Sequence, residues 1–578
     1  MGIAPDALQS VGTSPPQSSL ADAENETEHS SLATVSPLGS KLSFPGGLVL
    51  LGIVVIGTLI RCHRLSEISF WFDESFCWKM TTFDWSEQWD RVARDNHPPL
   101  YFALLKLWTQ CWGETAIAMR SLSVLCGTAT ILGGFALVLE VERGLVTSTT
   151  RPGTANRSAL LAAAGLALAP FQIEWSQQVR MYALGSALSL WSSWFLVRAI
   201  QRHPPCRRPW CGYVLTASAL AYTHYYGLFV LAAQFLFAVG ACLKHQLQAR
   251  SGMSRNSCVP HVLVAFVLIA MSWSPWLPEF LSHRQQVVDS FWTQPLKSDD
   301  VAWTCVQIWT GTWAEWPPFG QKLAWGVAIT SLLVWSWQLA LGRGGQRLLA
   351  LGPLVTFVAA VGASLGSRNI LSARYFVFAH ALAVCSVAIG LQRLPGAWLR
   401  AGSSCLALIG LSWLCLNNVQ QRDRWATRPG FESAVAYLDE VRRPGEPVLV
   451  GNPMVQINVA AYAVDRESVY VLSARQDFPY FQGSAVMRES EYVSPDRVSQ
   501  WPSSKIWVIE TKNWTGGSIG VTLPSPWIDI REESFFDWHT PKCEIVVKEC
   551  VRRRSAVSGD RAQIKPAGSR SRGGSEDE

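Results

Sequence analysis

The stretch WCGYVLTASALAYTHYYGLFVLAAQFLFAVGACL, residues 210–243, contains no Asp, Glu, Lys or Arg and is too long for a single membrane-crossing helix. A helix of about 20 residues already crosses a bilayer. Basic residues flank the run on both sides, at Arg208 and at Lys244. Because Lys and Arg concentrate in cytoplasmic loops, both flanks are expected on the same side. The run therefore crosses twice, with residues 223–227 as the turn on the far side.

The other apolar runs extend this pattern in both directions along the chain. Each is close to the length of one membrane-crossing helix. Together with the double crossing they predict an all-α polytopic membrane protein with about eleven transmembrane helices. Counting Lys and Arg places the basic loops on the cytoplasmic side and the remaining loops outside. The further runs are residues 44–60, 116–139, 158–173, 181–199, 259–278, 322–341, 349–365, 371–391 and 398–417.

The two ends of the chain differ from this apolar middle. Residues 1–42 are rich in Ser, Thr, Pro, Ala and Glu and contain no Phe, Trp or Tyr, so we expect a disordered cytoplasmic tail. No apolar run follows Met1 as it does in a cleavable signal peptide, and the first span is expected to be an uncleaved anchor. Residues 552–578 are polar and rich in Gly and Ser, and disorder is expected there too.

Between the tails the sequence predicts two domains. Residues 43–417 form the membrane domain, with residues 61–115 as a large first outer loop. Residues 418–551 form a small soluble α/β domain on the extracytoplasmic side. Its predicted elements are one amphipathic helix at 431–441 and two short buried strands at 447–450 and 506–509.

The charge of the chain excludes one class of partner. Its formal net charge is only +6. The basic residues separate apolar segments, whereas a nucleic-acid-binding protein clusters them on one soluble face. We therefore expect membrane lipids, and no nucleic acid, among the partners. Of the 14 cysteines, Cys543 and Cys550 are candidates for a local disulfide if their domain faces an oxidising compartment.

Two acids and an arginine lie in segments predicted to be outside. Asp73 and Glu74 follow the first span closely. Carboxylates near a membrane surface are costly unless they are solvated, paired or functional, although Asp73 also fits the cap of a helix. Arg180 lies where a span begins. It either extends to the membrane interface or binds a phosphate through its paired donors.

Three further polar residues fall on the same predicted side. His97 precedes two prolines, His224 lies in the turn of the double crossing, and Arg374 begins another span. Each alone is weak, since a lone His is more often structural than functional. Their convergence on one side with the acids and Arg180 favours a shared site there.

Six motifs follow one another through the membrane region. They are WFDES (71–75), NHPPLYFALLKLW (96–108), a Gly-x-x-x-x-Ala-x-Arg segment ending at Arg120, WSQQVRMYAL (175–184), THYYGLF (223–229) and SARYF (372–376). In this order they resemble the GT-C class of membrane glycosyltransferases, and most closely the branch with protein mannosyltransferases, lipid A aminoarabinose transferases and related polyprenyl-phosphate-sugar-dependent transferases. The resemblance covers about residues 44–420.

The resemblance implies a reaction and a location. It implies transfer of a hexosyl or pentosyl group from a polyprenyl-phosphate donor to a lipid, glycan or protein acceptor. The multi-pass protein would lie in the inner (plasma) membrane, with its active site on the extracytoplasmic side. Short helices of the first outer loop would lie along the membrane. A single displacement at the anomeric carbon predicts inversion.

The resemblance also assigns roles to residues. A carboxylate can take the proton of the attacking hydroxyl, and we assign this role to Asp73 with Glu74 as the second choice. Some relatives use a divalent metal at these acids, in which case Asp73, Glu74 and His97 are candidate ligands; no other cofactor is implied. Arg180 and Arg374 would stabilise the leaving phosphate. The residues expected to bind substrate are His97, Tyr101, Arg180, Tyr182, His224, Arg374 and Tyr375.

Two other classes of function stay open. A transporter or flippase of lipid-linked sugars would place polar residues along its spans and needs access from both sides. The predicted spans are mostly free of charge, with the polar clusters at one face, which disfavours this class. A non-catalytic scaffold for envelope assembly would tolerate the loss of Asp73.

Overall fold

The computed structural model describes residues 44–145, 153–202, 206–250, 258–312, 318–366, 368–514, 517–539 and 542–553. The predicted tail at 1–42 lies outside the described residues, as does all of the predicted tail at 552–578 except its first two residues. Of these, Arg552 is the last residue of a strand.

The first part of the chain, up to Ala426, is helical. Residues 44–112 form a span and three helices of the first outer loop: α1 (Phe44–Cys62), α2 (Phe72–Thr81), α3 (Trp85–Arg94) and α4 (Leu100–Trp112). Then follow α5 (Ala116–Arg143), α6 (Thr154–Leu168), α7 (Pro170–Ser176), α8 (Tyr182–Gln201), α9 (Arg207–Ala221) and α10 (Tyr226–Arg250). The series ends with α11 (Val259–Trp273), α12 (Leu277–Ser290), α13 (Ser298–Thr310), α14 (Gly320–Leu341), α15 (Gly345–Gly366), α16 (Val377–Gln392) and α17 (Ala397–Ala426).

The structure confirms a mostly helical polytopic membrane fold. Within the described ranges, nine helical stretches are long and apolar enough to cross a membrane. The pair α6–α7, bent by 58°, makes a tenth if it counts as one span. Helix α9 has only 15 residues, which is shorter than a full span. A helix or bent pair thus occurs at each of the eleven predicted positions, but two of these fall short of a straight, full-length span.

The run 210–243 forms the predicted helical hairpin. Helix α9 ends at Ala221 and α10 begins at Tyr226, so the turn occupies residues 222–225. Within it, His224 Nδ1 accepts a hydrogen bond of 3.1 Å from the backbone N–H of Tyr226. The first outer loop meets this turn, because the N–H of Leu100 donates to the carbonyl of Tyr222 at 3.1 Å.

A buried arginine stabilises the bend between α6 and α7. Pro170, the first residue of α7, cannot continue the hydrogen-bond ladder of α6. The last carbonyls of α6 therefore need other donors. Arg61 of α1 is fully buried and donates to the carbonyls of Leu166 at 2.9 Å and Ala167 at 3.1 Å. A cation from one span thus completes the end of another.

The chain after α17 folds as a mixed sheet with helices, which confirms the small α/β region. The elements are α18 (Gly430–Val441), β1 (Val448–Val450), α19 (Pro453–Tyr462), β2 (Val469–Leu472), β3 (Tyr492–Val493), α20 (Pro495–Ser499), β4 (Lys505–Trp514), β5 (Gly517–Ile519), β6 (Trp527–Phe536) and β7 (Glu544–Arg552). The strand order is β3-β2-β1-β4-β7-β6, with β5 beside β4. Strands β3, β2, β1 and β4 run parallel to one another, whereas β7 is antiparallel to both β4 and β6. The boundary between domains at residue 417 stays a prediction.

Cys543 and Cys550 do not form the suggested disulfide. Cys543 immediately precedes β7 and Cys550 lies within it. Seven residues of extended strand separate their Cα atoms by roughly 23 Å, whereas a disulfide requires less than about 7 Å. The prediction is wrong because it took closeness in sequence for closeness in space.

Buried polar contacts attach the C-terminal region to α2 in the first outer loop. Ser75 Oγ donates to Asn458 Oδ1 at 2.8 Å. Lys79 Nζ donates to Glu491 Oε1 at 2.7 Å and to Gln456 Oε1 at 2.8 Å. Burial lowers the pKa of Lys79 to about 8, although Glu491 opposes the shift. The helix that carries Asp73 and the C-terminal region therefore share one interface.

Candidate functional site

A cavity of about 700 Å³ lies where the first outer loop, several span ends and the C-terminal region meet. Asp73 of α2 and His97 of the segment before α4 line it. The turn before α8 contributes Arg180, and the segment before α16 contributes Arg374 and Tyr375. Five residues predicted from the sequence thus line one cavity, although they span three hundred positions of the chain.

Asp73 lies between two guanidinium groups. Its Oδ2 is 3.2 Å from Arg374 Nη1 and 3.6 Å from Arg180 Nη2. Helix α2 begins after Trp71, and no side chain caps it. The alternative role of Asp73 as a helix cap is therefore absent, and its carboxylate occupies the position of an anion between two cations.

His97 links the second aspartate of the cavity to Arg180. Its Nδ1 is 2.9 Å from Asp95 Oδ2, and its Nε2 is 3.3 Å from Arg180 Nη2. Burial acts to raise the pKa of Asp95, but His97 and Arg180 outweigh it and the pKa lies below its usual value. Asp95 is thus a buried anion that orients the imidazole ring.

Each of the two arginines has one N–H donor, which we call its reserve donor, without a partner in the described part of the chain. Arg180 Nε and Arg374 Nε are buried and have no hydrogen-bond partner among the described residues. Arg374 is also held by rings, with its guanidinium carbon 5.6 Å from the ring centre of Trp292 and 5.3 Å from that of Tyr375. These cations are fixed in place and still have hydrogen-bonding capacity, which suits the binding of an anion with several oxygens.

Tyr182 and His224 lie behind the cavity wall as part of an aromatic cluster. The His224 ring centre lies 5.0 Å from that of Tyr375 and 5.8 Å from that of His97, and Tyr182 packs at 4.6 Å against Trp175. Burial, followed by the nearby cations, lowers the pKa of His224 well below its usual value. His224 is therefore neutral near pH 7 and supports Tyr375 as a packing partner.

Glu74 and Tyr101 are not among the residues that line the cavity. Glu74 is fully buried, and its two carboxylate oxygens receive hydrogen bonds of 2.7 and 2.6 Å from Arg120 and one of 2.9 Å from the Val179 N–H. Tyr101 is buried against Phe102. Glu74 thus holds the residue next to Arg180 in place, and its assignment as second choice for the base has no geometric support.

Sequence reasoning missed the part of the wall that the C-terminal region and the loop before α13 supply. Their lining residues include aromatic and amide side chains, among them Trp292, Asn452, Tyr480, Phe481, Gln482, Trp514 and His539. The family motifs end near residue 376 and give no signal for most of these residues.

The donor set around Asp73 does not fit a metal ion as arranged. Within the described part of the chain, no three His, Cys, Asp or Glu residues form a cluster suited to one. Asp73 faces two arginines, Glu74 faces Arg120, and His97 bridges Asp95 and Arg180. Guanidinium groups already occupy the positions next to these carboxylates, so no step of the chemistry is derived through a metal.

The fold is similar to that of ArnT from Cupriavidus metallidurans. Its structure bound to undecaprenyl phosphate matches with a TM-score of 0.57 and 12% identity, over 89% of this chain and 99% of that one. The apo state matches with a TM-score of 0.56 and 11% identity, over 88% and 98%. Since the two chains match over most of their lengths, this protein has the GT-C fold that the motifs implied.

Other comparisons add less. The oligosaccharyltransferase of Archaeoglobus fulgidus in complex with Zn and sulfate matches with a TM-score of 0.43 and 13% identity, over 72% of this chain and 61% of that one. A likeness at that level supports no inference. No family model matches the sequence, and no curated protein is detectably similar to it.

Proposed function

We propose that this protein transfers a sugar from a polyprenyl-phosphate donor to an acceptor hydroxyl, in the cavity around Asp73. The observation that carries the proposal is the position of Asp73 Oδ2, 3.2 Å from Arg374 and 3.6 Å from Arg180. Two arginines with reserve donors form an anion site, and a carboxylate occupies it. The ArnT structure with the same fold is bound to undecaprenyl phosphate, which is an anion of the proposed kind.

The donor phosphate binds between Arg180 and Arg374. Its oxygens replace Asp73 in the hydrogen bond from Arg374 and in the ion pair with Arg180, and they also take the reserve donors at both Nε atoms. Charge-assisted bonds from guanidinium to phosphate are among the strongest hydrogen bonds in proteins. Entry of the donor therefore releases Asp73 from its ion pairs and leaves its carboxylate beside the anomeric carbon.

The released carboxylate acts as the general base. The acceptor oxygen forms a bond to the anomeric carbon, its proton passes to Asp73, and the bond from that carbon to the phosphate oxygen breaks with its electron pair. The two arginines stabilise the charge that develops on the leaving polyprenyl phosphate. His97, fixed by Asp95, holds Arg180 in position. One such displacement inverts the configuration at the sugar carbon.

The site is proposed to face the extracytoplasmic side of the membrane. The nine apolar stretches support a multi-pass protein. The charge pattern of the loops places residues 61–115 and the turn at 222–225 on the side opposite the basic loops. Both of these segments carry residues of the cavity or of the cluster behind it.

The test uses the full chain purified into nanodiscs, with undecaprenyl phosphate as the probe of binding and radiolabelled polyprenyl-phosphate sugars with envelope fractions as the assay of transfer. Asp73→Asn keeps the shape but loses the base, so transfer is expected to fall by roughly 10²–10⁴-fold. Undecaprenyl phosphate binding should persist in this variant, because both arginines remain.

Two controls separate catalysis from folding. Asp477→Asn alters an exposed aspartate of the C-terminal region and should leave transfer unchanged. Thermal unfolding of Asp73→Asn should match the wild type within a few degrees. Full transfer by Asp73→Asn rules out this base, and a wild-type protein that binds undecaprenyl phosphate without transferring sugar supports a flippase or scaffold instead.

A further inference from the structure

The cavity has two chemically different halves. The half formed by the span ends and the first outer loop contains all four of its charged residues that are described: Asp73, Asp95, Arg180 and Arg374. The half formed by the C-terminal region contributes no Asp, Glu, Lys or Arg among the described residues. Its lining is instead aromatic, amide and aliphatic. The two halves therefore suit different ligands.

The C-terminal half contains a turn, Tyr480–Gln482, which we call the aromatic turn. It forms one turn of 3₁₀ helix that ends at Gly483, whose φ of 88° is in the left-handed region. A Cβ on Gly483 would lie 2.5 Å from Ile457 and 3.3 Å from the ring of Phe72. The aromatic turn thus packs closely beside Phe72, the residue before Asp73, and this closeness requires glycine.

Further rings complete this half of the cavity. His539 stacks on Trp71 with ring centres 5.1 Å apart and planes inclined by 17°. Burial lowers the pKa of His539 to about 4, so the ring is neutral near pH 7. Trp514 also lines this side. A ligand in this half meets flat, uncharged rings on more than one side.

Amide groups accompany these rings. Gln482 of the aromatic turn and Asn96 of the first outer loop both line the cavity, and the hydroxyl of Tyr480 is buried there without a hydrogen-bond partner among the described residues. An amide side chain carries both hydrogen-bond donors and an acceptor, which matches a hydroxyl group that also does both. A sugar ring has C–H faces that pack on aromatic rings and hydroxyl groups that pair with amides. This half of the cavity offers both kinds of surface.

The charges argue against a phosphorylated acceptor. The two arginines of the cavity already face one carboxylate, and the donor phosphate uses both when it replaces Asp73. No third Lys or Arg lines the described part of the cavity. A second phosphate near the reacting hydroxyl would be an unpaired anion in a largely buried site, which is costly.

We propose that the C-terminal half of the cavity is the acceptor subsite and that the acceptor is a carbohydrate, a neutral glycan or glycolipid head group without phosphate at the reacting sugar. This inference rests on the proposed function and specifies its acceptor. The aromatic turn lies against the sugar ring and directs one hydroxyl toward Asp73. Residues of the C-terminal region thus determine which acceptor is used, while the spans bind the donor.

The test compares cells with and without the gene after labelling with radioactive glucose. The labelled envelope product that depends on the gene is digested with protease and then passed over an anion exchanger. A protease-resistant product that the exchanger does not retain supports the proposal. Label released as glycopeptide overturns it in favour of a protein acceptor, and label retained by the exchanger overturns it in favour of a phosphorylated one.

Variants of the aromatic turn connect this product to the cavity. Phe481→Ala and Gln482→Ala are each expected to lower its yield roughly tenfold, while the purified proteins bind undecaprenyl phosphate as the wild type does. Phe481→Leu keeps the apolar volume and loses the ring, so it separates stacking from folding. The matched controls are Phe536→Ala, an exposed ring on β6, and Gln500→Ala, which should leave the yield unchanged.

Other results contradict either the acceptor subsite alone or the proposed transferase function as well. Unchanged yield in Phe481→Ala and Gln482→Ala overturns the acceptor subsite but leaves the transferase in place. A wild-type gene that adds no labelled product overturns the proposed function, and the acceptor inference with it. Because undecaprenyl phosphate binding is measured separately, loss of the donor site is distinguished from loss of the acceptor site.

Discussion

At the scale of single residues, two neighbouring acids have very different surroundings. Glu74 is buried and accepts hydrogen bonds from Arg120 and a backbone N–H, whereas Asp73 faces a cavity and forms ion pairs with two arginines. The sequence places the two side by side and cannot distinguish them. What distinguishes them is Arg120, which lies 46 residues away in the chain.

The contribution of the planar guanidinium of Arg180 to phosphate binding can be tested by a substitution that keeps the positive charge. Arg180→Lys is expected to weaken undecaprenyl phosphate binding roughly tenfold, because an ammonium group loses the paired donors of a guanidinium. Binding is measured on purified protein in nanodiscs at fixed ionic strength. Arg198→Lys is the control, since Arg198 pairs with Glu140 outside the cavity at 2.8 Å. Equal affinities of Arg180→Lys and the wild type exclude Arg180 from the phosphate site.

Removing the charge of Glu74 leaves a buried guanidinium without its anion. Glu74→Gln is therefore expected to lower the free energy of unfolding by about 3–5 kcal/mol, seen as a lower Tm. Glu67→Gln is the matched control: Glu67 also pairs with an arginine, Arg64, but at an exposed site, where such pairs contribute about 0–1 kcal/mol. A Tm of Glu74→Gln equal to that of the control contradicts a structural role for this pair.

At the scale of elements, the ends of helices and strands in this chain depend on groups that lie elsewhere in the chain. The bend between α6 and α7 is completed by Arg61 of α1. In the C-terminal region, the backbone N–H of Asp537, just after β6, donates to the carbonyl of Cys543, just before β7, at 3.1 Å. Hydropathy predicts where such elements lie, but not which distant group satisfies their ends.

Asp537 gives this connection a predictable dependence on pH. Burial raises the pKa of Asp537 to about 6, above its value of about 4 in an unfolded chain. The folded state binds this proton more tightly, so its contribution to stability is present below about pH 4 and is lost as pH rises through about 6. Asp537→Asn stays neutral throughout, and it should be more stable than the wild type near pH 7.5 by roughly 1–3 kcal/mol.

The measurement is the difference in Tm between Asp537→Asn and the wild type at about pH 4 and about pH 7.5. The difference should grow with pH across this window. Asp477→Asn, at an exposed position, should show no such growth. A difference that stays constant or shrinks with pH would mean that Asp537 is ionised at little cost in the folded protein.

At the scale of the whole molecule, the predicted sidedness follows from the loops and is open to a direct test. A reporter that signals only outside the cytoplasm, fused after residue 553, is expected to be active, because the C-terminal region forms part of the same cavity as the first outer loop. The same reporter fused after Lys244, in the basic last part of α10, should be silent. Reversed signals would overturn the orientation of every span.

The fold was largely predictable from the sequence, and the site was predictable in part. Apolar runs and their flanking charges located the spans and the hairpin turn, predicted at 223–227 and observed at 222–225, because a bilayer imposes length and charge rules that act locally. Asp73, Arg180 and Arg374 were predictable because each occurs in a short motif at the end of a span. The aromatic turn was not, since its position beside Phe72 depends on contacts made across four hundred residues.

The attachment of the C-terminal region to α2 has a consequence for protein engineering. A chimera that exchanges residues 430–553 for those of another protein with this fold also exchanges the partners of Ser75 and Lys79. Such a graft leaves a buried ammonium group unpaired unless α2 is changed with it. Exchanging the C-terminal region therefore also requires changes in α2, which is the helix that carries Asp73.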